Sequence, residues 1–315
     1  MELAGKNRGE GQASPAASFE EAAGRPRRRG LRGLARGRAW LLTVLLGLLA
    51  SVFIVFLTTT GLDGPRAVRG AYVGLKRFVQ RVEEDHPNAL WSVVHEVCMR
   101  NQRAIGRPFP CIEVNLDAGY AVLKDPERRT QLLLVPTTRI SGAEAPSLIQ
   151  PGARNYWQDA WSTKPVFEKF ASGPVPRQDL ALAVNSLFSR TQEQLHIHID
   201  CVRPEVREFV RINEGTITAT WRPLRRKLLG FSYWARWVDG PDLAASNPFV
   251  LLGRDRRMRA TMGMQALAVV GAVRANGQPG FVLFSRPESE ASIGFPSGEV
   301  LLDHRCNVLA SGSGT

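Results

Sequence analysis

The chain has 315 residues, 44% hydrophobic and 22% charged, with 41 Lys and Arg against 29 Asp and Glu and a formal net charge of +12. These values exclude a wholly disordered chain, a collagen and a small disulfide-built knot, and the length fits one large domain or two lobes. Four cysteines are too few to stand in for a core.

Residues 1–38 hold nine Lys and Arg and four Glu among Gly, Ala, Ser and Pro, without an apolar period, and read as a disordered basic segment. From Ala39 to Leu62 there is no charged side chain. A helix of that length reaches across the roughly 30 Å of a bilayer core. Arg36 and Arg38 before it and Asp63 after it predict a single-pass transmembrane anchor with a cytoplasmic N-terminus. A core helix rarely runs so long without a charge, and a signal peptide is usually shorter. On this reading residues 63–315 form the functional domain outside the cytoplasm, on the periplasmic side of a bacterial inner membrane.

Residues 66–84 read as an amphipathic helix, with Tyr72, Leu75, Phe78, Val79 and Val82 on one side, and a second helix is expected over 89–101. Pro108 and Pro110 end that region. Strand-like runs follow at 111–115, 120–123 and 132–135, joined by turns at Asp117-Ala118-Gly119 and at 124–130. Residues 150–170, 179–189 and 204–212 read as helical. Further strands are expected at 195–201, 217–221, 231–238, 266–273 and 280–284. Helices and hairpins in mixed order indicate an α+β fold. Outside the cytoplasm the four cysteines are consistent with two disulfides, in any of three pairings, or with four buried thiols.

The most informative stretch is Gln194-Leu195-His196-Ile197-His198-Ile199-Asp200. On a strand, alternate side chains share a face, so Leu195, Ile197 and Ile199 point to a core while Gln194, His196, His198 and Asp200 align opposite them. An unprotonated imidazole is a good nucleophile at neutral pH, and a second one on the same face can bind phosphate oxygens. Spacing alone leaves three readings open: a strand face without a role, a metal-binding His-x-His pair with Asp200 as a third ligand, or a nucleophilic site. His304, near Cys306, is a lone histidine that reads as structural. No P-loop, G-x-G-x-x-G or G-x-S-x-G is present, and no recognised nucleic-acid module accompanies the high charge.

The QLHIHI segment resembles the histidine triad signature of nucleotide hydrolases and transferases. The stretches LWSVVHEVC (90–98), GYAVLKD (119–125), LLLVPTTRISGAE (132–144), NYWQDAW (155–161), NSLFSRTQEQLHIHIDCVRPEVR (185–207) and LLDHRC (301–306) together resemble the CDP-diacylglycerol pyrophosphatase family. The resemblance implies a histidine-triad-like α+β fold, an antiparallel sheet with flanking helices. It also implies hydrolysis of membrane-borne CDP-diacylglycerol to CMP and phosphatidate. His196 then stands at the nucleophile position, His198 at the third histidine and Gln194 where the first histidine would be. Asn185 and Thr191 become candidate phosphate or ribose contacts. Asp125 is either a ribose-binding carboxylate or a turn residue beside Pro126. Lys124, Arg139, Arg190 and Arg203 are candidates for neutralising a pyrophosphate. No cofactor, metal or nucleic-acid partner is expected, and the sequence leaves the oligomeric state open. The clusters Arg222, Arg225, Arg226, Lys227 and Arg254, Arg256, Arg257, Arg259 read as either solvated faces or surfaces toward anionic lipid. The competing functional readings are a metal-dependent phosphoesterase and a non-enzymatic lipid- or nucleotide-binding domain.

Overall fold

A computed structural model describes residues 86–171, 173–290 and 298–310. All of them fall within one compact unit. The basic segment expected over 1–38, the anchor expected over 39–62 and the helix expected over 66–84 lie outside the described residues. Among the described residues no helix is long and apolar enough to cross a membrane. The expected fold class is therefore corrected to α+β on an antiparallel sheet, with no membrane-spanning helix among the described residues.

The strands are β1 (Glu113–Asn115), β2 (Tyr120–Lys124), β3 (Leu132–Pro136), β4 (Leu180–Val184), β5 (Ile197–Val202), β6 (Arg222–Pro223), β7 (Trp234–Asp239), β8 (Gln265–Val273), β9 (Pro279–Pro287) and β10 (Leu302–Asp303). They form one sheet in the order β1-β2-β3-β5-β4-β8-β9-β7-β6, and β10 pairs with the far end of β5. Every pairing is antiparallel. The turn from β1 to β2 follows from its residues. Asn115 Oδ1 accepts from the Ala118 N–H at 2.8 Å, and Gly119 takes φ 75°, a conformation other residues rarely adopt.

Both faces of the sheet centre are covered. On one face Leu132, Leu134, Leu180, Leu182, Ile197 and Ile199 pack in a cluster with Trp157 and Trp161 of α2 (Tyr156–Ser162) and Phe167 of α3 (Lys164–Ala171). Asn155 caps α2, accepting from the Gln158 N–H. On the opposite face Ala121, Leu123, Leu133 and Val135 meet Leu90, Val94 and Met99 of helix α1 (89–105), which contains a π-helical stretch at Val93–Cys98. Helix α4 (Pro204–Asn213) begins on a proline, whose missing N–H costs nothing in a first turn. A helix not anticipated from the sequence, α5 (Pro248–Arg254), is capped by Asn247, and α6 (Arg256–Arg259) follows it. Two disulfides settle the pairing: Cys98–Cys111 and Cys201–Cys306.

Two expected elements change type. The helix expected over 179–189 is instead the central strand β4. Leu-Ala-Leu-Ala-Val is apolar at every position, so its periodicity fits a helix or a strand buried on both faces equally well. Pairing with β5 and β8 decides for the strand. Residues 217–221 are not a strand. Trp221 is buried and donates its indole N–H to the Leu251 carbonyl at 3.1 Å, while the short strand β6 lies just after it.

Candidate active site

His198 and Asp200 share one face of β5, as the alternation requires, and His196 lies one residue before the strand with its ring against that of His198. Opposite His198 stand Leu133 on β3 and Ala183 on β4, and opposite Asp200 stands Ala181. The alanines leave room above the strand that larger residues would fill. Helix α1 covers the β1–β3 half of this face. Between the start of α1, the β2–β3 connection, the loop after β4 and Glu299 a cavity of about 450 Å³ remains, with His196, His198, Asn185, Thr191, Asp125 and Arg128 among its lining residues. The histidine face is thus the lining of a cavity and not an open sheet surface: His196 is 8% and His198 5% exposed.

His196 Nδ1 lies 2.8 Å from the Gln194 carbonyl oxygen. A carbonyl only accepts, so Nδ1 carries the proton and Nε2 holds the lone pair. Burial pushes the His196 pKa below its ordinary value, against the raising influence of that hydrogen bond and of Glu299 and Asp125. The ring is therefore neutral at pH 7 with one defined nucleophilic nitrogen. The two imidazoles meet edge to face, with centroids 4.8 Å apart.

His198 Nε2 lies 3.3 Å from Glu299 Oε1. Burial pushes the His198 pKa down, and the pull of Glu299 does not restore it. Burial alone would raise the Glu299 carboxyl, but the His198 ring and the amides of Asn185 and Gln131 outweigh it and hold the carboxyl low. Asn185 Nδ2 donates to Glu299 at 2.7 Å and Gln131 Nε2 donates at 3.1 Å. The pair is thus a neutral imidazole beside an anionic carboxylate.

Asp200 is committed to structure. Oδ1 accepts from Thr130 Oγ1 at 2.6 Å and from the Cys201 N–H at 2.9 Å, while Oδ2 lies 2.9 Å from His304 Nδ1. The only metal-type cluster among the described residues is Asp200 with Cys201 and Cys306, and those sulfurs are joined in a disulfide and offer no thiolate. This donor set does not fit a metal held by His196, His198 and Asp200.

The other expected site residues divide. Asn185, Thr191 and Asp125 line the cavity. Asp125 Oδ1 also accepts from the N–H groups of Glu127 and Arg128, the role of a turn residue. Gln194 does not line the main cavity. It is fully buried, donates Nε2 to the carbonyls of Pro136 and Thr138, and accepts from the Ile140 N–H. Lys124 Nζ donates to the carbonyls of Asp125 and Arg128, which ties the β2–β3 connection. Arg139 contacts Asn88 and lies over the Trp91 ring, and is not among the residues lining the cavity. Arg190 is paired with Glu144 and Glu193. Arg203 lies at the N-cap of α4 and is also outside the cavity lining. Glu299, Arg128, Gln192 and His86 line the cavity without having been singled out from the sequence. Glu299 lies 114 positions from the Asn185 it contacts, so no local spacing could announce it. Arg128 stood in a segment that reads only as a turn.

Residues 85–310 match the family model described as CDP-diacylglycerol pyrophosphatase. A CDP-diacylglycerol pyrophosphatase of Yersinia pestis is 34% identical over 233 residues, covering 74% of this chain and 89% of that protein. Among solved structures, a DUF4931 family protein from Bacillus cereus aligns with a TM-score of 0.36 and 9% identity over 63% of this chain and 95% of that one, too distant to carry an argument. The matches name the pyrophosphatase family and not the histidine triad superfamily.

Proposed function

The chain belongs to the CDP-diacylglycerol pyrophosphatase family and is a hydrolase of that activity; we propose that it works through a covalent cytidylyl-histidine at His196. The observation that carries this reading is the hydrogen bond from His196 Nδ1 to the Gln194 carbonyl, which leaves Nε2 as the lone-pair nitrogen of a ring lining the cavity. Nε2 attacks the cytidylyl phosphorus. A P–N bond forms as the anhydride P–O bond breaks, and phosphatidate leaves with the bridging oxygen. Water then opens the P–N bond and releases CMP.

Arg128 is suited to the phosphate oxygens, because a guanidinium donates in a planar fork. Asn185 and Thr191, which line the same cavity, supply polar contacts to the nucleotide in this reading. Glu299, held anionic behind His198, offsets the positive charge that His196 acquires in the adduct. Gln194 acts through its backbone carbonyl on the tautomer of His196, and its side chain fixes the 136–140 loop. The two disulfides support an oxidising compartment as the place of action.

The test uses CDP-diacylglycerol labelled at the cytidylyl phosphorus, with an alkaline denaturing quench that preserves a phosphoramidate. Label is expected on wild-type protein, is removed by acid, and is absent from His196→Ala, whose turnover falls by about a thousandfold or more. Wild-type activity in His196→Ala would sink the assignment.

A further inference from the structure

At the far end of the sheet, four and five places from β5 along the strand order, β7 and β6 border a second cavity of about 330 Å³ that shares no lining residue with the first. Four arginines from three chain segments converge on it: Arg222 of β6, Arg236 of β7, and Arg254 and Arg257 from the α5–α6 corner. The two basic clusters of the sequence each supply part of this lining, so the fold gathers into one concavity charges that lie far apart along the chain.

The carboxylate in the lining, Asp255, does not balance them. It accepts from Arg257 at 3.1 and 3.3 Å and caps α6 through the Arg257 N–H. Arg257 also stacks over the Trp234 ring, its carbon centre 4.5 Å from the centroid. Among the described residues the guanidiniums of Arg222, Arg236 and Arg254 have no hydrogen-bond or ion-pair partner. Arg236 is the half-buried member, and its Nε is fully buried without an acceptor. Buried donors are normally satisfied, so an unmet one beside a cavity indicates a missing acceptor. Burial, and then the neighbouring charge of Arg254, weaken the hold of Arg236 on its proton, which an anion in the cavity would reverse.

We infer that the Arg222–Arg236–Arg254–Arg257 cavity is a phosphate-binding site separate from the catalytic one, taking a phosphomonoester or phosphodiester group. Planar guanidiniums suit the tetrahedral oxygens, and the cavity holds one such group with room for part of what it is attached to. Two sources share this chemistry, the headgroup of an anionic phospholipid and soluble phosphate.

The experiment is titration calorimetry of the full-length protein with inorganic phosphate. Wild type is expected to bind phosphate, with an event that weakens at least tenfold in Arg236→Gln and in the exposed rim variant Arg222→Gln/Arg254→Gln, while turnover of CDP-diacylglycerol stays within about twofold of wild type. The rim variant keeps the test decisive if Arg236→Gln fails to fold. Co-sedimentation with phosphatidate-containing vesicles distinguishes the sources. Sedimentation lost in the rim variant and competed by phosphate assigns the site to a lipid headgroup. Calorimetric binding without sedimentation assigns it to soluble phosphate. No phosphate binding by wild type, or binding unchanged in the rim variant, overturns the site.

Discussion

Gln194 occupies the place where the histidine triad resemblance puts a histidine, and its surroundings explain why an amide serves there. Both ends of the side chain are spent inside the protein, on two carbonyls and one N–H of the 136–140 segment. Gln194→Ala leaves buried carbonyls without a donor and is expected to lower unfolding free energy by about 2–3 kcal/mol, read from denaturant midpoints. Residual activity should survive, because the backbone carbonyl that sets the His196 tautomer is untouched. The neighbouring rings make a pH statement. His196 is pushed down from the usual value of 6.5, so the acid limb of kcat/KM is expected below pH 6.5. The same shifts act on the fold. A histidine whose folded pKa is depressed leaves the unfolded chain holding more protons below pH 6.5, so stability falls as pH drops from there toward about 3 for His198. Glu299, depressed from 4.5, loses its contribution in the same direction as pH falls further. Thermal melts from pH 7 to pH 4 should show this decline, and His198→Asn should flatten its upper part.

The elements that build the site differ in how much of them a sequence can announce. β5 is legible because Ile197 and Ile199 alternate with His198 and Asp200, a period of two that a helix cannot satisfy. β4, its neighbour, has no such alternation, since both its faces are covered and selection for apolar residues acts on every position. The turn at Gly298–Leu301 is short and has no pattern of its own, yet it carries Glu299 to the cavity. Its position depends on Gly298: a Cβ there would come 2.7 Å from the Val184 carbonyl oxygen of β4, a backbone atom that cannot swing aside. Gly298→Ala is therefore expected to move Glu299. Stability should fall by about 1–3 kcal/mol and kcat should drop about tenfold with a smaller change in KM, as steady-state kinetics would show.

Across the whole molecule, the C-terminal segment is held to the site strand by covalent and polar ties together. Cys201–Cys306 closes a separation of 105 residues, and beside it His304 and Thr130 bond to Asp200. Cys98–Cys111 closes a separation of only 13 residues, between α1 and the approach to β1. Chain-entropy reasoning gives about 4.7 kcal/mol for the long loop and about 3 kcal/mol for the short one. Replacing Cys201 and Cys306 by Ala should lower the denaturant midpoint more than replacing Cys98 and Cys111, and should also lower turnover, because Glu299 lies on the tethered segment.

The α+β class, the His196–His198 face and the family resemblance were readable from the chain alone, since each is carried by local patterns: the order of short segments, a period of two along one strand, and contiguous stretches such as 185–207. The strand identity of β4, the disulfide pairing, the commitment of Asp200 to His304 and Thr130, and the arrival of Glu299 and Arg128 at the cavity were decided by tertiary structure. Most of these join positions 70 to 114 residues apart, and Arg128 reaches the cavity from a turn. Contacts across such separations leave no periodic mark on the chain. They exist only once burial of the sheet faces brings those segments together.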